Sequence, residues 1–127
     1  MRRLGFVFMF LAAAIAQDPA TGCREQYRKE LEANSKSSLT HFNLAQCYSL
    51  ESNYVGAVNE FREALRGDRE PGWIIVWSYI ERGKIFDITG QRQRALNEYR
   101  LAEETRDDTR GALDEVAKYK KAPYRRP

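Results

Sequence analysis

The chain reads as an all-α protein built from antiparallel helix hairpins stacked as repeats, with a further helix closing the end of the stack. Three observations carry this expectation. First, a set of small and aromatic residues occurs twice in the same order. Ala45, Tyr48, Ala57, Phe61 and Ala64 are matched by Gly83, Phe86, Ala95, Tyr99 and Ala102, each 38 residues further on. Second, a partial copy lies upstream, where Cys23, Tyr27 and Leu31 precede Ala57, Phe61 and Leu65 by 34 residues. Third, turn-forming residues separate the paired segments at Glu51-Ser52-Asn53 and Thr89-Gly90-Gln91. Spacings of three and four keep each set on one helix face. The small residues let two helices approach, and the aromatics fill the space beside them.

Taken in order, residues 1–16 come first. Arg2 and Arg3 precede an apolar or small-residue run from Leu4 to Ala16, which ends in Ala14-Ile15-Ala16. A basic start, a short apolar stretch and a small-x-small ending are the marks of a cleaved export signal. The alternative is an uncleaved membrane anchor, although the run is shorter than the roughly 20 residues a spanning helix needs. Residues 17–121 then form the helical repeat domain. Helices are expected at 22–34, 37–50, 54–67, 73–88, 91–105 and 109–120. Residues 22–34 make a half repeat, 37–71 the first full repeat and 73–108 the second. Gly67-Asp68 and Pro71-Gly72 divide the two full repeats, and Gly90 suits a left-handed helix end. In the last helix, 109–120, Ala112, Val116 and Tyr119 share a side, as a capping helix over an open stack requires. Residues 122–127 are a basic tail.

The pattern resembles the tetratricopeptide repeat, whose signature is W-x2-L-G-x2-Y, then A-x3-F, then P, with a period of about 34 residues. The first copy supplies His41-x2-Leu44-Ala45-x2-Tyr48, Ala57-x3-Phe61 and Pro71. The second supplies Tyr79-x2-Arg82-Gly83-x2-Phe86 and Ala95-x3-Tyr99. His41 stands where the family has tryptophan, and Arg82 where an apolar residue is expected. The resemblance covers roughly Cys23 to Asp108 and implies a short α-solenoid whose first helices line a concave groove. It places Phe42, Asn43, Gln46 and Leu50 of the first hairpin on that groove, with Trp77, Glu81, Lys84 and Asp87 of the second. Such a mixture suits a peptide: aromatics give contact area, Asn43 and Gln46 can bond a backbone, and Lys84 can pair with a carboxylate. Phe42 and Trp77 also have a plainer reading as packing under the neighbouring helix.

Charge and chemistry narrow the function classes. Removing residues 1–16 takes two arginines from the 21 lysines and arginines and leaves the 18 acids, a net charge near +1. That is far from the positive field nucleic-acid binding uses, so no nucleic-acid partner is expected. The basic residues that remain cluster late, at Lys118, Lys120, Lys121, Arg125 and Arg126. They read as a solvated, frayed terminus, or else as a contact for an acidic surface. A single histidine, His41, leaves little room for acid–base catalysis and reads as a packed residue. Metal-ligand spacing and a phosphate loop are both lacking, so no cofactor and no enzymatic activity are expected.

The two cysteines keep three readings. An exported chain meets an oxidising compartment, and Cys23 and Cys47 fall on neighbouring helices, which allows a bridge. Both also suit small buried positions. Alternatively Cys23, after Ala20-Thr21-Gly22, is a lipid attachment site, although Asp18 and Pro19 interrupt the apolar run before it. The function expected is a non-catalytic interaction module, periplasmic or extracellular, that binds a protein or peptide partner and keeps no membrane span after cleavage. The alternative is a structural role, as a homo-oligomer or part of a larger envelope assembly, because the half repeat leaves Tyr27 and Leu31 without a cover.

Overall fold

A computed structural model describes residues 19–127; the expected leader at 1–16 lies outside them. Six α-helices make up the described chain: α1 (Pro19–Ala33), α2 (Ser38–Leu50), α3 (Tyr54–Arg66), α4 (Trp73–Ile88), α5 (Arg92–Glu104) and α6 (Ala112–Lys121). Helices α2 and α3 form one hairpin and α4 and α5 a second, and α3 against α4 joins them. Helix α1 lies on α2, and α6 packs on α5 and α4. The result is an all-α helical repeat fold with a closing helix. Among the described residues no helix is long and apolar enough to cross a membrane.

Both hairpins turn in the same way. In the first, Asn53 N–H donates to the Tyr48 carbonyl and Ser52 N–H to that of Ser49. In the second, Gln91 N–H donates to Phe86 and Gly90 N–H to Asp87. These paired bonds satisfy the last carbonyls of a helix and need one left-handed residue. Gly90 adopts it at φ 75°, and Ser52, 38 residues earlier, adopts it at φ 59° without being glycine. Asn53 then caps α3, its side chain accepting from Gly56 N–H at 3.0 Å. Ser37 caps α2 in the same manner, accepting from Thr40 N–H at 3.2 Å.

The core follows the repeat. Phe42, Ala45, Ala57, Phe61 and Ala64 are buried in the first hairpin, and Phe86, Ala95, Tyr99 and Ala102 in the second. Ala112, Val116 and Tyr119 of α6 extend the second cluster, and Tyr99 and Tyr119 lie 6.0 Å apart between ring centres. At Gly83 the two helices come so close that a methyl group would strike the Tyr99 ring. The last helix starts at Ala112 rather than 109, because Arg110 (φ 57°) and Gly111 (φ 71°) both adopt left-handed angles that an α-helix does not accept.

The two residues that depart from the repeat pattern have partners. Arg82 pairs with the buried Glu98 at 3.3 Å. Burial raises the Glu98 carboxyl above its ordinary range, and Arg82 and Arg94 oppose that rise. His41 meets Glu60, the equivalent acid one repeat earlier, at 2.7 Å through Nδ1, and the Ser35 carbonyl at 2.9 Å through Nε2. The loop between hairpins is tied to the start of α2. Asp68 accepts from Ser38 N–H and Glu70 N–H, both at 3.1 Å, while Asp68 N–H donates to the Lys36 carbonyl at 2.8 Å.

Cys23 and Cys47 form a disulfide, with their Cα atoms 5.9 Å apart. It fastens α1, the half repeat, to α2. Arg24 adds an ion pair to Glu51 at 2.7 Å, and Arg28 donates to the Tyr48 hydroxyl at 2.8 Å. The bond occupies the Cys23 sulfur, so the lipid-anchor alternative at that residue does not hold for the bridged chain. Tyr27 and Leu31 on α1 are half-buried.

Candidate functional site

Helices α2 and α4 begin their respective hairpins and run side by side, so equivalent positions face a common space. Gln46 and Lys84, one repeat apart, both line a cavity of about 430 Å³, together with Leu50, Glu81, Ile85 and Ile88. Leu50 is 74% exposed there, an apolar side chain left uncovered beside polar neighbours. Lys84 is held by Glu81 at 3.1 Å, one turn back on the same helix. Four of the eight groove residues expected from the sequence are therefore brought together: Gln46, Leu50, Glu81 and Lys84.

A smaller cavity of about 230 Å³ continues the groove past Gln46 and Glu81. Its walls are Phe42, Trp73, Trp77 and Arg110. Trp77 serves packing as well as the groove: it is half-buried, touches both core clusters, and donates its indole N–H to the Thr109 carbonyl at 2.9 Å. The Arg110 guanidinium lies over Trp73 at 4.1 Å, a stacking contact that covers the indole face.

Three expected groove residues are placed otherwise. Phe42 is 4% exposed and stands edge-on to Phe61 and Trp73, at 5.3 Å and 5.4 Å, so it belongs mainly to the core. Asp87 is also withdrawn: its side chain is fully buried. Arg92 Nη1 donates to both its oxygens at 3.0 Å, and the Tyr99 hydroxyl donates to Oδ2 at 2.8 Å. A carboxylate near a helix C-terminus faces the negative end of the helix dipole and gains from such donors. The same contact, with burial as the larger cause, pushes the Tyr99 phenol well above its ordinary range. Asn43 is half-buried and lines neither cavity.

The terminal segment is not a frayed end. Residues 122–127 leave α6 in non-helical conformation and lie against α4, where Tyr124, Arg126 and Pro127 form part of the wall of the larger cavity. Tyr124 N–H donates to Asp87 Oδ2 at 2.9 Å. The Tyr124 ring stands edge-on to Tyr119 at 5.2 Å and lies under Lys84 Nζ at 4.7 Å. Arg126 reaches the Ser52 and Tyr54 hydroxyls on the far wall. Sequence reasoning missed Ser52, Tyr54, Tyr124 and Arg126. The available signal was an aromatic following proline inside a basic run, which offers an anchor that a purely solvated tail would not need.

His41 sits away from this groove with both ring nitrogens engaged. Among the described residues no three His, Cys, Asp or Glu side chains group to hold a metal ion. No protein-family model matches the chain, and no curated protein matches it.

Proposed function

We propose that this protein is a non-catalytic interaction module of the tetratricopeptide type, exported from the cytoplasm, which holds an extended peptide segment of a partner protein between α2 and α4. The observation that carries the reading is the convergence of Gln46 and Leu50 with Glu81 and Lys84 on one groove. Such a surface supplies what an extended chain needs: amide and charged groups for its backbone and side chains, and an uncovered apolar contact. The apolar leader at 1–16 and the Cys23–Cys47 bridge favour an oxidising compartment.

The test is co-purification from the envelope fraction with wild type and with Gln46→Arg and Leu50→Glu. Both side chains are exposed, so the variants keep the fold. The expected outcome is a partner retained by wild type and lost by both variants. Equal recovery on all three rejects the groove as the binding surface.

A further inference from the structure

One wall of the larger cavity is a peptide segment, and it is the protein's own: Tyr124, Arg126 and Pro127 line the space beside Gln46, Leu50, Glu81 and Lys84. We infer that residues 122–127 occupy the groove as a built-in copy of its ligand, and that the partner segment is an extended peptide with a tyrosine followed two positions later by an arginine. The inference rests on the peptide-binding reading above and specifies the chemistry of that peptide.

Three features of the seated segment define the recognition. Its backbone is fixed by one hydrogen bond, Tyr124 N–H to the buried Asp87. That carboxylate is held rigid by Arg92 and Tyr99, so it presents a preorganised acceptor to whatever chain lies there. The aromatic ring is gripped by the perpendicular ring of Tyr119 and by the Lys84 ammonium. The arginine two residues on is met by two hydroxyls, Ser52 and Tyr54, and lies 5.9 Å from the centre of the Tyr54 ring. Ala122, Pro123, Arg125, Arg126 and Pro127 are all exposed, and of these Arg126 is the one whose side chain hydrogen-bonds the groove wall, through Ser52 and Tyr54. The groove therefore reads Tyr-x-Arg and tolerates its neighbours.

A tethered copy competes with any incoming peptide. A short tether gives an effective concentration on the order of millimolar, so a free peptide with a Kd near 100 µM binds the closed groove about tenfold more weakly than the open one. The probe is a labelled synthetic peptide of residues 122–127, measured by fluorescence anisotropy against the full chain. Wild type is compared with Tyr124→Ala/Arg126→Glu, which releases the segment, and with Arg126→Glu alone as the milder change. The expected result is about tenfold tighter binding to the double variant than to wild type. That gain should be abolished by adding Gln46→Arg, which sets a like charge against the two arginines of the peptide, and should be absent for a peptide with alanine in place of its tyrosine. Equal binding to wild type and released variant overturns the inference, because the groove is then not closed by its own segment. No binding to the released variant, while Gln46→Arg and Leu50→Glu still lose a co-purified partner, overturns the Tyr-x-Arg assignment and leaves the peptide-binding reading standing.

Discussion

Gly83 and Tyr99 set how closely α4 approaches α5. In the first hairpin the same two positions are Ala45 and Phe61, and the methyl group is accommodated there. At Gly83 it is not, because the Tyr99 ring is fully buried and its hydroxyl is fixed on Asp87. Gly83→Ala should therefore destabilise the protein by about 1–3 kcal/mol, the usual cost of overpacking, even though alanine is the better helix former. Urea unfolding followed by tryptophan fluorescence measures it; a stabilised variant would show that the ring can yield. Removing only the hydroxyl probes the other half of the contact. Tyr99→Phe should cost about 1.5–3 kcal/mol, the worth of a hydrogen bond to a charged acceptor, and a loss near zero in the same assay would mean that Arg92 and the Tyr124 N–H satisfy the carboxylate without it. Asp87 was beyond reach from sequence for the same reason. Its spacing from Lys84 puts both on one helix face, but an arginine and a phenol of α5 and a backbone N–H of the terminal segment draw the acid inward.

At the level of elements, nearly all of the hairpin pattern was legible, and the physical grounds are specific. Small and aromatic residues repeat in register because each pair of helices must solve the same packing problem, so Ala57 and Ala95 mark equivalent contacts. The turns were visible through Gly90, whereas Ser52 hid its left-handed conformation behind an ordinary polar side chain. The late start of α6 shows in the sequence only through Gly111, while Arg110 beside it hides a left-handed conformation at φ 57° behind an ordinary side chain. Half of the groove follows from what the resemblance to tetratricopeptide repeats implies for the first helix of each hairpin. The other part comes from residues 122–127, which no periodicity places. Helix α1 depends on α2 and on the bridge between Cys23 and Cys47. Cross-linking residues 24 apart restricts the unfolded chain by about 3.5 kcal/mol in the loop-entropy account. Cys23→Ala with Cys47→Ala should lower stability by up to about that amount, and amide exchange should open first along α1. Uniform loss of protection over all helices would show instead that the half repeat is integral to the whole.

For the molecule as a whole, the loop at Gly67–Glu70 couples one hairpin to the next and makes that coupling sensitive to acid. Two backbone N–H groups, from Glu70 and then Ser38, hold the Asp68 carboxyl below its ordinary range. A carboxylate with a depressed pKa in the folded state stabilises fully above its unfolded value of about 3.8, and that contribution is lost as pH falls through the lower folded value. Asp68→Asn should thus be less stable than wild type at pH 7, with the gap closing as pH drops below 3.8, in thermal melts across that range. A gap that persists unchanged in acid would assign the effect to shape and not to charge. The turns that end α2 and α4 have a different consequence. Since Ser52-Asn53 and Gly90-Gln91 use the same backbone bonds, the stretch 54–91 begins and ends at equivalent joints. Chain length is then a free parameter of this architecture: a duplicate of 54–91 spliced after Gln91 meets each joint in register and lengthens the groove by one rung, without a new fold having to be invented.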